Sequence, residues 1–330
     1  MDKKIVLLQS KRQINRVFTT KHLDQLRAMG EVVMNGEHRN PDAEKLKELI
    51  KDANIAITSW GCPKLTKEIL DMAPNLEVVL HAAGTVKGIV TPELWERGIR
   101  VSSGSTAMGQ GVGETALGMT IASLKDMWRL NESTKNGEWS LGTNIREVYD
   151  VTIGVIGAGK AGGHYIKLLQ SFDVDVLLYD PIITKAQASA MGAIKVELDE
   201  LLGKSDVVSI HAPDIPATYK MINQEKLAIM KDDAILINTA RGTIIDEDAL
   251  VSELSKGRLF ACIDVTDPEP PAPGHPFRTL PNVVLTPHIA GAITNGLHRL
   301  AQYVINEIKL FEAGQQMDGE VKQEDMDVIA

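Results

Sequence analysis

Short aliphatic and β-branched runs alternate with longer segments of helical periodicity along nearly the whole chain. In the first third the pattern predicts strands at Ile5–Gln9, Glu31–Met34, Ile55–Ser59, Leu76–His81 and Arg100–Ser102. Amphipathic helices such as Pro41–Lys51 and Lys64–Met72 lie between them. From Thr152 the alternation restarts, with strands expected at Thr152–Ile156, Val174–Tyr179, Val207–Ile210, Ala234–Asn238, Phe260–Val265 and Val283–Leu285. These later runs are almost continuously Val, Ile and Leu, as a parallel sheet covered on both faces requires. Strands separated by helices argue for α/β architecture. The connecting segment Gly104–Asn136 starts Gly-rich and predicts a helix over Glu114–Leu130. A last helix over Asn295–Phe311 carries Leu297, Leu300, Val304, Ile305 and Ile308 at helical spacing. Beyond Gly314, five acidic residues face the single Lys322, which predicts a solvated, mobile end.

At 330 residues the chain has room for two domains, each with its own core. Charge narrows the partners: 35 Lys and Arg against 44 Asp and Glu leave a net charge of -9. A sustained basic surface for nucleic acid or an anionic membrane is therefore not expected, and 4% aromatics are too few for base-stacking platforms. Cys62 and Cys262 stand 200 positions apart, which excludes a disulfide framework or a Cys-rich metal site and suggests free buried thiols. The uncharged run Thr115–Thr120 and on to Leu124 is about half the ~20 residues needed to span a bilayer. A cytoplasmic, soluble protein without a metal is the expectation.

Candidate chemistry begins where the strand Thr152–Ile156 runs into Gly157-Ala158-Gly159-Lys160-Ala161-Gly162. A strand, this glycine spacing and a following helix meet the needs of a dinucleotide site. The first glycine makes the tight turn, the second admits a pyrophosphate, and the third allows close helix–strand packing at a helix N-terminus. Asp180 ends the next strand, 18 residues past Gly162. A carboxylate there accepts both ribose hydroxyls and repels a 2′-phosphate, so NAD rather than NADP is expected.

Three polar residues each follow the carboxyl end of a predicted strand, where open α/β sheets bind ligands. They are Arg241 after Ala234–Asn238, Glu269 after Phe260–Val265 and His288 after Val283–Leu285. Singly, each has a plain structural explanation: a surface ion pair, a loop charge or a capping residue.

The stretches Gly154–Gly162, Ser205–Pro213, Asn238–Leu250 with its Ala-Arg-Gly, Ile263–Pro270 and Leu285–Gly291 together carry a resemblance. In them the sequence resembles the D-isomer-specific 2-hydroxyacid dehydrogenase family over nearly the whole chain. The resemblance implies Arg241, Glu269 and His288 as the catalytic set, with Asp264 near the nicotinamide carboxamide. It places Pro213, Ala240 and Gly291 along the cofactor and makes Ala83-Gly84-Thr85 the loop whose N–H groups cradle the substrate carboxylate. It further implies a small 2-keto or 2-hydroxy acid substrate and a homodimer, with the helix after Gly113-Glu114 among its contacts.

The implied fold is two Rossmann-like or flavodoxin-like doubly wound parallel-sheet domains with an interdomain cleft. Residues 1–104 plus 292–330 would form a discontinuous substrate domain, and 105–291 the NAD-binding domain. Departures from the family pattern are Val86-Lys87-Gly88-Ile89-Val90, where Val-Asp-Asn-Ile-Asp is usual, and Ala161 where Ile is common. Lys87 offers a second positive charge or a solvated side chain; Trp60 and His81 either shape specificity or pack in the core. The alternatives are an NAD-sensing co-repressor-like protein and a relative that oxidises another small anion such as phosphite. Formate is disfavoured, because the formate enzymes have Gln where Glu269 stands.

Overall fold

A computed structural model describes residues 3–139 and 144–329. In chain order its strands are β1 (Lys3–Leu7), β2 (Gly30–Met34), β3 (Ile55–Thr58), β4 (Val78–His81), β5 (Arg100–Ser103), β6 (Tyr149–Ile156), β7 (Asp173–Tyr179), β8 (Ile194–Lys195), β9 (Val207–Ile210), β10 (Ala234–Asn238), β11 (Leu259–Ile263), β12 (Val283–Leu285) and β13 (Glu320–Val321). They make two sheets, ordered β13-β5-β4-β3-β1-β2 and β12-β11-β10-β9-β6-β7-β8. Two compact units result. One holds the described residues up to Met108 together with Ala292–Ile329, the other Gly109–Gly291.

In the first unit β1 to β5 are parallel, and successive residues feed opposite cores. Val6 and Leu8 join Leu46, Ile50 and Val79 on one face, while Ile5 and Leu7 join Leu300, Val304 and Ile308 of the helix Leu297–Glu312 on the other. The helix near the C-terminus thus completes the core of the N-terminal sheet, its apolar stripe packing on the same face as Ile14, Val17 and Leu26 of the early helices. The second unit is parallel throughout and repeats the scheme, with Ile210 and Leu236 on one face and Val155 and Ile237 on the other.

Two expectations need correction. The connecting helix starts at Ser105, runs to Leu124 and does not continue to Leu130. Its glycines, poor helix formers, serve close packing: a Cβ on Gly109 would lie 2.8 Å from the Lys160 carbonyl carbon, and one on Gly113 3.0 Å from the Tyr165 nitrogen. Asp126 then takes a left-handed conformation and a separate helix, Met127–Lys135, follows.

The acidic end, expected to be mobile, is docked. β13 pairs antiparallel with β5, Val321 O accepts from Trp95 Nε1, and Glu320 forms a forked pair with Arg100. Met317 is buried, and the buried carboxylate of Glu307 accepts from the Asp318 and Gly319 N–H groups. Those partners are far apart in sequence, so composition alone misreads the segment as solvated.

Candidate active site

In the second unit β6 delivers Gly157 to the carboxyl edge of the sheet with φ +91, a left-handed turn that suits glycine. A Cβ on Gly157 would lie 3.0 Å from Ala212 backbone atoms, and one on Gly162 only 1.9 Å from the Gly157 carbonyl oxygen. Around Gly159 the opposite holds: a Cβ there would meet nothing within 4 Å. Gly159 precedes the helix Lys160–Leu169 and supplies no side-chain cap, so the first-turn amides keep their capacity to bind an anion. Asp180 Oδ2 accepts from the Ala158 N–H at 2.8 Å, while Oδ1 accepts from Ile182 and Ile183. The carboxylate is thereby fixed beside the glycine turn.

These features fit a dinucleotide: a tightly packed turn, an open approach at one glycine, a helix N-terminus and a fixed acid. Lys160 and Ala161 open that helix. Beyond β9, His211 is buried with Nε2 2.9 Å from Ser209 Oγ, and burial pulls its pKa down to about 4. The Pro213 carbonyl that follows accepts from Thr218 Oγ1, which closes the turn.

The three candidate catalytic residues leave three neighbouring strands of the same sheet, β10, β11 and β12. His288 Nδ1 stands 2.8 Å from Glu269 Oε1, with both side chains about half exposed. His288 itself has φ +54, an uncommon conformation for a residue with a side chain. Asp264, buried at the end of β11, holds it there. Its backbone oxygen accepts from the His288 N–H, Oδ1 accepts from Thr286 Oγ1 and the Ile289 N–H, and Oδ2 from the Ala290 N–H. Asp264, read from the resemblance as a cofactor contact, is thus bonded through both oxygens to the loop that carries the histidine.

Arg241 is partly buried, and its Nη1 donates to the Ala240 carbonyl at 2.6 Å. Asn238 ties the turn, donating to the Arg241 carbonyl and accepting from the Ala240 N–H. Among the described residues no carboxylate pairs with Arg241, so the surface-ion-pair explanation does not apply and most of its donor fork is uncommitted. Gly291 packs beside Gly111, whose added Cβ would lie 3.4 Å from it.

In the first unit Ala83, Gly84 and Thr85 follow β4. Two serines that sequence reasoning passed over, Ser103 and Ser105, both donate to the Gly84 carbonyl. In a trans peptide the N–H of Thr85 must then point the opposite way. None of the three backbone N–H groups at 83–85 donates a hydrogen bond among the described residues. Gly84 is half-buried and Thr85 exposed, so their amides can meet a ligand, while Ala83 is buried.

His81 faces the core instead. It lies 2.8 Å from Thr58 Oγ1, is buried, and has its pKa pulled down to about 4 by desolvation. Trp60 packs partly against the core that contains Leu7 and Leu300. Lys87 is half-buried and closes a turn through its N–H to Thr85 Oγ1. Both cysteines are buried, with thiols pushed up to about 12 at Cys62 and about 11 at Cys262, so neither is a ready nucleophile. No group of metal-ligating side chains occurs among the described residues, and no described helix is long and apolar enough to cross a membrane.

Comparison with known proteins places this geometry in a family. The sequence signature of the D-isomer specific 2-hydroxyacid dehydrogenase NAD-binding domain matches residues 117–290. A glyoxylate reductase of Thermofilum pendens is 34% identical over 297 residues, covering 88% of this chain and 87% of the relative. A D-3-phosphoglycerate dehydrogenase of Methanocaldococcus jannaschii is 35% identical over 267 residues, covering 80% of this chain, which spans only half of that relative's length (50%). A phosphoglycerate oxidoreductase from Rhizobium etli shares the fold, with a TM-score of 0.85 at 22% identity over 97% of this chain and 99% of its own. The chain belongs to the D-isomer specific 2-hydroxyacid dehydrogenase family, and its second unit carries that family's NAD-binding domain.

Proposed function

We propose that the protein interconverts a small 2-keto acid and its D-2-hydroxy acid with NAD, and that Arg241, Glu269 and His288 act on the substrate. The observation that carries this reading is the 2.8 Å contact between His288 Nδ1 and Glu269 Oε1, on a loop edge that also presents Arg241. A carboxylate oxygen only accepts, so Nδ1 bears a proton and Nε2 is the atom that exchanges one. During reduction Nε2 donates to the carbonyl oxygen as it becomes a hydroxyl; during oxidation it takes that proton back. Glu269 orients the imidazole by accepting from Nδ1, which turns Nε2 toward the substrate in this reading. Arg241 holds the substrate carboxylate with paired N–H donors and polarises the adjacent carbonyl. When bound, NADH supplies the hydride to the carbonyl carbon.

Gly157, Gly159, Gly162 and the first turn from Lys160 and Ala161 are assigned to the pyrophosphate, and Asp180 to the adenosine ribose. Pro213, Ala240, Asp264 and Gly291 line the remainder of the cofactor site in this reading. Ala83, Gly84 and Thr85 are assigned to the substrate through their free N–H groups. The glyoxylate reductase relative supports a short 2-keto acid such as glyoxylate. A homodimer and a cytoplasmic location accompany this reading. The exposed Met127, Trp128 and Trp139 beyond the connecting helix favour self-association there, which light scattering of the purified protein tests.

The functional test is NADH oxidation against a panel of 2-keto acids by the parent and His288→Ala. Loss of the proton donor is expected to lower turnover about 10²–10⁴-fold with NADH affinity unchanged. Cofactor binding without turnover of any acid would overturn the reading in favour of an NAD sensor. Near-parent turnover of the variant would remove His288 from its role.

A further inference from the structure

The Arg241 loop and the Glu269 loop meet at one peptide group. Gly242, next to Arg241, lies so close to it that an added Cβ would stand 2.1 Å from the Thr266 carbonyl carbon and 2.5 Å from the Asp267 nitrogen. The N–H of that same Thr266–Asp267 peptide donates to Glu247 Oε1 at 2.8 Å. Glu247 opens the helix Glu247–Ser255, directly after the turn Gly242–Ile244 that follows Arg241. One carboxylate therefore ties the segment after Arg241 to the segment before Glu269.

Glu247 is itself held. Its Oε2 lies 3.3 Å from His275 Nε2, and both side chains are mostly buried. His275 Nδ1 accepts from the Phe277 N–H, which leaves the ring proton on Nε2, the ring nitrogen in contact with Glu247. The His275 ring rests edge-on against Phe277, 4.5 Å between centroids, and Phe277 belongs to the buried core. Burial raises the Glu247 carboxyl to about 6, with the neighbouring Asp267 and Asp248 charges adding to this and Lys220 and the Asp267 N–H opposing it.

Glu269 makes no hydrogen bond other than that to His288 among the described residues, and its side chain is about half exposed. Apart from His288 itself, no hydrogen bond among the described residues holds that carboxylate, so the course of the backbone through residues 266–270 sets where it stands.

We propose that Glu247 is a positioning residue: by clamping the Thr266–Asp267 peptide, with His275 behind it, it sets Glu269 against His288 and keeps the Arg241 loop in register with both. The proposal rests on the catalytic assignment above. Misplacing a reacting group by about 1 Å costs on the order of 10²-fold in rate. Glu247→Ala is therefore expected to lower kcat about 10- to 100-fold while NADH affinity stays within about 2-fold. Glu247→Gln keeps an acceptor for the Asp267 N–H and should stay within about 5-fold of the parent, since it forfeits only the weaker contact to His275.

A second readout does not need turnover. In 15N-histidine-labelled protein the His288 Nδ1–H proton, assigned by its absence in His288→Gln, should be visible in the parent and in Glu247→Gln. It should be broadened or lost in Glu247→Ala. His275→Ala, which leaves Glu247 in place but unsupported, should show a smaller effect of the same sign and carries the test if Glu247→Ala does not fold. Retention of both the proton signal and parent kcat in Glu247→Ala would overturn the proposal. Equal damage in the Ala and Gln variants would also overturn it, because the carboxylate charge and not the bond to Asp267 would then matter. If no 2-keto acid is turned over by the parent, the functional reading fails, and the proton signal still decides whether Glu247 positions the pair.

Discussion

The glycine turn can be dissected because two of its glycines exist for different physical reasons. Gly159 has φ −63 and open space where a side chain would go, so Gly159→Ala fits the protein without strain. Removing a glycine also reduces the freedom of the unfolded chain, worth about 0.4–1 kcal/mol in favour of the fold. Thermal stability of Gly159→Ala should therefore be unchanged or raised by a few degrees. The new methyl group would occupy the space through which the backbone approaches a pyrophosphate, and NADH affinity should fall at least about 10-fold, equivalent to ~1.4 kcal/mol.

Gly162→Ala is the opposite case. Its Cβ would stand 1.9 Å from the Gly157 carbonyl oxygen and 3.1 Å from His211 Cβ, a backbone clash that only movement of the turn relieves. Overpacking of this kind costs about 1–3 kcal/mol, or roughly 2–12 °C in Tm for a unit of this size. Differential scanning calorimetry and NADH fluorescence titration on the two variants give the full comparison. Parent-like NADH binding by Gly159→Ala would refute its assignment to the cofactor, and parent-like stability of Gly162→Ala would refute the close packing.

Two further outcomes concern stability. His81 and His211 are buried as neutral rings with pKa pulled down from the ordinary 6.5 to about 4. The unfolded chain thus takes up protons that the folded one refuses. Stability is full above pH 6.5 and falls as the pH drops toward 4, by up to about 3 kcal/mol for each histidine. Denaturant midpoints at pH 7 and pH 5 check this, and His81→Gln should flatten the profile; an unchanged slope would show that His81 is not the source. Truncation after Gly314 removes β13, leaves Arg100 without Glu320 and strips the buried Glu307 of two N–H donors. Losing hydrogen bonds to a charged group in this way costs about 1.5–3 kcal/mol each. A clear fall in Tm is expected, and an unchanged Tm would restore the mobile-end reading.

Much of this molecule is legible in its linear order. Val/Ile/Leu runs mark the parallel strands because a strand covered on both faces must be apolar at every position. The two-residue strand β8 escapes that signal, being too short and too exposed to carry it. Gly157–Gly162 and Asp180 are readable because a turn, a helix N-terminus and a strand end are local features with fixed spacing. Arg241, Glu269 and His288 stand out as polar residues just past strand ends.

What local pattern cannot carry is the choice of distant partner. The helix Ser105–Leu124 starts among glycines because another helix lies against them, a contact invisible to propensity. An acidic tail reads as solvated until Arg100, Trp95 and Glu307 are known to receive it. His81 ends a strand like a site residue, yet Thr58 and the core enclose it. Asp264 and Glu247 show the same limit: each carboxylate binds backbone N–H groups about 20 or more residues away. The amino-acid order determined which elements form and which chemistry is available. Tertiary structure alone decided which buried polar groups would find one another, because an unpaired one costs too much to leave to chance.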